Sequence, residues 1–207
     1  MLESGISANL SCGAVYFGDP ADFSPETCND CANHIRLYEN WHNAGEGQIK
    51  VDASIHAEYT SCAPAWKWVA DFAQKHGLRM HVHVSETNRE HWECCQRYEK
   101  TPAAILDQYG VWANGGIAAH CVYLSGGDAE LLAKRGVTAV HNPVSNLKLM
   151  SGVAPLFFLR DQGMNVALGT DGVASNNSHN MFEEMKVAAL TQNWNFGEEH
   201  GQLQAAD

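Results

Sequence analysis

The segment LRMHVHVSET, residues 78–87, shows most clearly how this chain is built. Apolar residues alternate with two histidines, which is typical of a short β-strand. Because strand residues two apart share a face, we expect His81 and His83 to point the same way. Glu86 follows just beyond the strand. The segment therefore predicts a buried strand whose carboxyl end carries an imidazole and a carboxylate.

Five further segments have the character of strands buried on both faces, being short, apolar and nearly continuous. They cover residues 7–17, 49–56, 115–121, 137–142 and 165–170. Helical segments are predicted between the later ones, at 102–110, 128–136 and 153–162, and a last helix at 181–191. This alternation predicts parallel strands joined by helical crossovers.

A further helix is predicted after Ser61, with Pro64 in its first turn and Gly77 just past its end. Proline is tolerated in the first turn and glycine is favoured after the last one. Its predicted apolar face consists of Ala65, Trp68, Val69, Phe72 and Ala73. Such a face is expected to cover a sheet.

Polar residues fall at the ends of successive predicted strands, namely His56, His83, His120, Asn142 and Asp171. In an open sheet only the ends at the switch point converge, whereas in a (β/α)₈ barrel all strand ends face one centre. We therefore predict an α/β fold of the barrel type. Six strand–helix units are found where a barrel has eight, so residues 1–207 are expected to form one incomplete barrel domain.

Composition excludes several classes of function. The chain has 24 acidic and 13 basic residues, a net charge of -11, which disfavours nucleic-acid and anionic-membrane surfaces. No apolar run approaches a membrane span, and the amino terminus lacks a signal-peptide pattern. The seven cysteines follow no regular framework. A cytoplasmic protein acting on a small molecule is the simplest interpretation.

Each polar position has an ordinary structural explanation as well as a chemical one. Glu86 could reach a metal-bound water or a substrate nitrogen, but Glu and Thr are also common where a helix begins. His120 could be a ligand, although a lone histidine ending an apolar strand is more often a hydrogen-bonded core residue. Asp171 lies in Gly-Thr-Asp-Gly, which could hold a ligand or simply turn the chain.

Taken in order, four segments resemble the amidohydrolase superfamily: HVHVSET (81–87), AAHC (118–121), HNPVSNLKLMSGVAP (141–155) and ALGTDGVASNN (167–177). The pattern is most similar to methylthioadenosine/S-adenosylhomocysteine deaminases, with guanine deaminases and the triazine chlorohydrolases as related groups. The resemblance implies a partial TIM barrel containing strands three to eight. It also implies a metal-dependent hydrolase acting on C–N bonds of an adenine-type nucleoside.

The resemblance implies roles for five residues. His83 and Asp171 correspond to metal ligands, and Asp171 also takes a proton from the metal-bound water. Glu86 corresponds to the acid/base that protonates the ring, His120 to a histidine beside that water, and His56 to a substrate contact. One divalent ion is implied, most simply Zn²⁺, with Fe²⁺ and Mn²⁺ as alternatives. Barrel enzymes of this kind often form homo-oligomers.

The sequence departs from the family at one point. The family begins with a His-x-His metal pair, and no such pair precedes His81. Matched to the family, the first two strands and the flanking β-sandwich are absent. The expected alternatives are therefore another amidohydrolase reaction, such as guanine deamination or triazine dechlorination, or a fragment that is inactive by truncation.

Overall fold

The computed structural model describes residues 2–203, and its strands follow the predicted order. The strands are β1 (Ala8–Leu10), β2 (Gly13–Ala14), β3 (Ile49–Val51), β4 (Ala53–Ala57), β5 (Met80–Val84), β6 (Gly116–His120), β7 (Val137–His141) and β8 (Asn165–Leu168). Six of them form a parallel sheet and the other two, β1 and β3, pair with each other. This confirms the predicted α/β class with a partial set of (β/α)₈ units.

Helices separate most of the strands. They are α1 (Asn29–Trp41), α2 (Ala44–Gly47), α3 (Ala63–His76), α4 (Asn88–Tyr98), α5 (Pro102–Gln108), α6 (Gly126–Lys134), α7 (Pro143–Lys148), α8 (Leu156–Asp161), α9 (Val173–Asn176) and α10 (Met181–His200). Between residues 2 and 203, no helix is both long enough and apolar enough to span a bilayer.

The chain divides into two compact units. The first runs to His83 and also includes Ile105–Gly116, and the second comprises Val84–Ala104 and the chain from Ile117 onwards. The first unit contributes β2, β4 and β5 to the parallel sheet, in that order. The second contributes β6, β7 and β8, in that order.

Two predicted strands of the first unit are each divided in two. The run 7–17 becomes β1 and β2, and the run 49–56 becomes β3 and β4. Asp52 lies at the second break, where its carboxylate accepts hydrogen bonds from the Arg79 backbone N–H at 2.9 Å and from the Asn9 amide at 2.5 Å. Lys50 of β3 is exposed while β4 is buried almost throughout. Strand β3 belongs to the two-stranded sheet and β4 to the parallel sheet.

Helix α3 begins and ends as predicted, with Pro64 in its first turn and Gly77 at φ +66° after its end. Its buried face is rotated from the predicted one. Trp66 is fully buried, and its indole N–H donates to Ser61 Oγ at 2.7 Å, while Trp68 is only half-buried. A tryptophan with a hydrogen-bond partner inside the protein can be buried completely.

The second unit packs around buried side chains from β6 and β7, from α6 and α8, and from the residue before β8. Among the buried side chains are Ala118, Leu132, Ala139, Leu159 and Met164. Strands β7 and β8 pair in parallel register from Thr138 opposite Asn165 to His141 opposite Leu168. This pairing brings the carboxyl ends of both strands to the same edge, where His141 and the Gly-Thr-Asp turn follow.

Candidate active site

Two of the predicted residues, His56 and His83, lie together in the first unit. His56 is on β4 and His83 on the adjacent strand β5, and their ring centroids are 4.8 Å apart at 89°. The Nδ1 atom of His56 lies 3.1 Å from Thr60 Oγ1, which orients the ring. The ring centroids of His81 and His83 are 6.1 Å apart, and both side chains lie on the half-buried face of β5, as predicted from strand alternation. The structure thus places a pair of imidazoles at neighbouring strand ends.

Glu86 and His120 lie together in the second unit. Glu86 Oε2 is 3.8 Å from His120 Nε2, a distance for an ion pair rather than a hydrogen bond. The other carboxylate oxygen, Oε1, accepts a hydrogen bond from Ser151 Oγ at 2.9 Å. Ser151 belongs to the loop after α7, 65 residues from Glu86. The carboxylate is therefore held by one neighbour and faces a buried imidazole with its other oxygen.

Two buried amides surround the other nitrogen of His120, whose side chain is 2% exposed. Its Nδ1 atom lies 3.3 Å from Asn142 Nδ2 and 3.4 Å from Asn146 Oδ1. The nitrogen can accept from Asn142 or donate to Asn146, but not both at once. When Nδ1 accepts, Nε2 carries the proton and presents it towards Glu86. The amides can thus set the tautomer of the imidazole.

Asp171 follows β8, and its carboxylate is held in the ionised form. Ser145 Oγ donates to Oδ2 at 2.6 Å and the Gly172 N–H donates to Oδ1 at 2.7 Å. Burial alone would raise the pKa of Asp171, but these hydrogen bonds, a contact with Ser175 and the charge of His120 bring it below its ordinary value. A carboxylate kept ionised in this way suits metal binding and proton acceptance.

Several residues at these strand ends have left-handed backbone conformations. Ser85, His120, Cys121 and Asp171 have φ values of 49°, 73°, 53° and 58°. Side chains other than glycine adopt this region at a cost, and such residues cluster at functional sites. Four of the nine left-handed non-glycine residues in the described chain thus lie at or beside candidate residues.

A buried glutamate shapes the turn before α4. The carboxylate of Glu90, 5% exposed, accepts the backbone N–H groups of Ser85 and Glu86, both at 2.8 Å, and its own N–H donates to Thr87 Oγ1 at 3.1 Å. The Thr87 N–H also donates to the Glu90 carboxylate, at 3.4 Å, which completes a capping box. Burial raises the pKa of Glu90 to about 7, although the hydrogen bonds oppose the shift. Thus the cap residue also fixes the backbone of Glu86.

His141 at the end of β7 is the most isolated polar side chain in the second unit. It is 1% exposed, and within residues 2–203 neither ring nitrogen has a hydrogen-bond partner. Burial first, and then the nearby charge of His120, lowers the pKa of His141 to about 4. The ring is therefore kept neutral beside the Glu86–His120 pair.

The structure brings the predicted residues into two groups, one in each unit. Glu86, His120 and Asp171 belong to the second unit, and His56 and His83 to the first. Across the described part of the chain, no three His, Cys, Asp or Glu side chains form a group that could hold a metal ion. The donors present are of suitable types, an ionised carboxylate and imidazoles, but the family resemblance assigns only His83 and Asp171 as ligands, fewer than the three of a catalytic zinc site.

Sequence reasoning missed the side chains that hold these residues in place. Ser145 and Ser151 lie inside the quoted motif 141–155 and could have been noticed as hydroxyls near strand ends. Nothing in the local sequence marks Glu90 as buried, since Glu at that helical position is common on the surface. Their roles depend on contacts that only the folded chain makes.

Comparison with known proteins identifies the family of this chain. Residues 4–207 match the amidohydrolase family, and the chain belongs to that family. It is 45% identical over 188 residues to a 5-methylthioadenosine/S-adenosylhomocysteine deaminase of Caldanaerobacter subterraneus, covering 90% of this chain and 42% of the relative. It is 43% identical over 198 residues to a 5'-deoxyadenosine deaminase of Methanospirillum hungatei, covering 93% and 43%. The chain thus spans less than half the length of these curated relatives.

Solved structures show the same fold. An adenosine deaminase from Xanthomonas campestris with bound zinc matches 99% of this chain and 45% of its own, with a TM-score of 0.85 and 31% identity. A guanine deaminase from C. acetobutylicum with bound guanine matches 98% and 49%, with a TM-score of 0.87 and 20% identity. The second likeness concerns the fold alone.

Proposed function

We propose that the protein carrying this chain is a metal-dependent deaminase of an adenine-type nucleoside, such as 5'-methylthioadenosine or S-adenosylhomocysteine. The observation that carries the proposal is the grouping of Glu86, His120 and an ionised Asp171 in one unit, at the ends of parallel strands or on the turns that follow them. Relatives at 45% and 43% identity named as deaminases of such nucleosides support it.

A divalent ion is the proposed cofactor, with Zn²⁺ first because histidine and carboxylate donors suit it and a zinc-containing structure is similar to this chain. Each unit has one candidate ligand, His83 in the first and Asp171 in the second. The chemistry that such an ion would supply is a water molecule whose pKa is lowered to about 7, a strong nucleophile at neutral pH.

Asp171 is proposed to accept the proton of the attacking water. Its Oδ2 is tied to Ser145 and its Oδ1 to the Gly172 N–H, which leaves lone pairs on both oxygens. The hydrogen bonds from Ser145 and Gly172 help to keep this carboxylate ionised. His120 itself is proposed to lie beside the water, with Asn142 and Asn146 directing its Nε2 proton.

Glu86 is proposed to protonate a ring nitrogen, so that the ring carbon becomes more electrophilic and ammonia can leave. General acid–base catalysis of this kind contributes about 10²- to 10⁴-fold to the rate. The Ser151 hydroxyl and the Glu90 carboxylate hold the side chain and backbone of Glu86, respectively. His56, oriented by Thr60, is proposed to contact the purine nucleoside.

A cytoplasmic location is part of the proposal. All seven cysteines lie within the described residues as free thiols, which fits a reducing compartment. The excess of acidic residues fits a small-molecule substrate rather than a nucleic acid.

The test uses the protein expressed from the complete reading frame that encodes this chain. We expect ammonia release from 5'-methylthioadenosine, S-adenosylhomocysteine or 5'-deoxyadenosine, its loss with a chelator and its return with Zn²⁺. Asp171→Asn is expected to abolish turnover and Glu86→Gln to lower kcat at least about 10²-fold. Glu183→Gln, an exposed change on α10, is the matched control and should leave turnover unchanged.

Three results would contradict the proposal. Wild-type turnover by Glu86→Gln would remove the assigned acid/base. Turnover of guanine or a triazine in preference to the nucleosides would assign a different amidohydrolase reaction. A folded protein that binds zinc and acts on none of these substrates would indicate a chain without catalytic function.

A further inference from the structure

Glu184, on helix α10, is a fully buried carboxylate that the proposed chemistry does not use. Its side chain is 0% exposed, whereas the preceding residue, Glu183, is exposed. Oε1 accepts from the Asn176 amide at 2.5 Å, and Oε2 accepts from the Val144 backbone N–H at 3.1 Å. Both donors are amides, and they lie on two different segments of the second unit.

The first contact connects Glu184 to the backbone of the Asp171 turn. Asn176 is 4% exposed, and its Nδ2 donates one hydrogen to Glu184 and the other to the Thr170 carbonyl oxygen at 2.6 Å. Thr170 directly precedes Asp171, whose φ of 58° is a strained conformation. Asn176 therefore fixes the peptide group that sets the direction of the Asp171 backbone, and Glu184 fixes Asn176.

The second contact connects Glu184 to the side chain of Asp171. Val144 precedes Ser145 near the start of α7, and Ser145 Oγ donates to Asp171 Oδ2 at 2.6 Å. By holding the Val144 N–H, Glu184 fixes the helix start from which Ser145 reaches Asp171. Two chains of hydrogen bonds thus connect the Glu184 carboxylate to Asp171. The chain through Asn176 reaches the Asp171 backbone, and the chain through Ser145 reaches the Asp171 carboxylate.

We propose that Glu184 is a positioning residue for Asp171. It touches neither substrate nor metal in this assignment. Its catalytic consequence rests on the proposed function, because Asp171 matters as ligand and base only there. Partners behind metal ligands typically change metal affinity or activity by about 10- to 100-fold when removed. A shift of a reacting group by about 1 Å can cost about 10²-fold in rate.

The test is Glu184→Gln in the protein expressed from its complete reading frame, with three measurements. The glutamine keeps the volume but offers one acceptor oxygen to two donors. We expect Zn²⁺ affinity, measured by competition with a chelator, to fall about 10- to 100-fold. We expect kcat to fall by a similar factor with KM little changed. The third measurement is the unfolding equilibrium constant.

Gln192→Leu is the matched control for lost stability. Gln192 is also on α10, is 0% exposed, and bonds the Leu156 N–H and the Ala154 carbonyl, away from the Asp171 turn. It should lower stability and leave Zn²⁺ affinity unchanged.

Two further comparisons complete the test. Ser145→Ala should increase the unfolding equilibrium constant in both the wild type and the Glu184→Gln background. The factor of increase should be at least threefold smaller in the Glu184→Gln background, because the position of Ser145 depends on Glu184. Two results would overturn the proposal. The first is a Glu184→Gln protein that keeps wild-type Zn²⁺ affinity while its stability falls as in the Gln192→Leu control. The second is that the effects of substituting Ser145 and Glu184 are independent of each other. If the wild type deaminates nothing, the proposed function fails, while the affinity and coupling measurements still decide the role of Glu184.

Discussion

Replacing His141 with glutamine should make the protein more resistant to acid. Burial, and after it the charge of His120, lowers the pKa of His141 from 6.5 to about 4. The folded state therefore excludes a proton that the unfolded chain binds. A group whose pKa is lower in the folded state contributes stability at pH values above its pKa in the unfolded chain. That contribution is lost as the pH falls towards the pKa of the folded state.

The magnitude follows from the two pKa values. Between pH 7 and pH 5 the unfolded chain takes up most of a proton at this position and the folded chain takes up little. The free energy of unfolding should then fall by about 2 kcal/mol through His141 alone. Glutamine cannot titrate in this range, so His141→Gln should lack that part of the acid sensitivity. All other titrating groups are common to both proteins, and their contributions cancel in the comparison.

The assay is urea unfolding followed by tryptophan fluorescence at pH 7 and pH 5, with a chelator present so that metal binding does not contribute. His179→Gln is the control because this histidine is exposed. The decrease in the free energy of unfolding from pH 7 to pH 5 should be about 2 kcal/mol smaller for His141→Gln than for the wild type. Losses that agree within about 0.5 kcal/mol would refute the idea that His141 is buried in its neutral form.

Three further results are expected. Since burial raises the pKa of Glu90 from 4.5 to about 7, its stabilising contribution is present at low pH and lost as the pH rises through 7. Between pH 5 and pH 8 the free energy of unfolding, measured with urea, should fall by about 2.5 kcal/mol more in the wild type than in Glu90→Gln. Equal decreases in the two proteins would contradict this. A methyl group at Gly116, where φ is 151°, would overlap a backbone carbonyl of β5. Gly116→Ala should therefore cost more than about 3 kcal/mol in unfolding, against about 1 kcal/mol for the unobstructed Gly136→Ala control. Ser151→Ala removes the hydrogen bond to Glu86 and should lower kcat about tenfold with KM unchanged; a change in KM alone would show that Ser151 acts in binding.

The strand–helix order could be predicted from the sequence because buried strands and amphipathic helices leave periodic patterns. Residues 78–87 predicted strand β5 and the turn with Glu86, and the structure has the strand at Met80–Val84. The breaks within 7–17 and 49–56 could not be predicted. At the second break, Asp52 bonds to Asn9 and Arg79, which are 43 and 27 positions away. A local pattern carries no information on such distant partners.

The chemical character of the site was also determined by the sequence, since imidazoles and carboxylates at the ends of parallel strands are visible in the chain itself. The sequence alone assigned His83, Glu86, His120 and Asp171 as candidates. Only the tertiary structure decided which side chains hold them. Ser151 donates a hydrogen bond to Glu86, 65 positions away in the sequence. Glu184 accepts one from Val144, the neighbour of Ser145, 40 positions away. Burial, which moves the pKa of Glu90 and His141 in opposite directions, arises only when distant segments exclude water together.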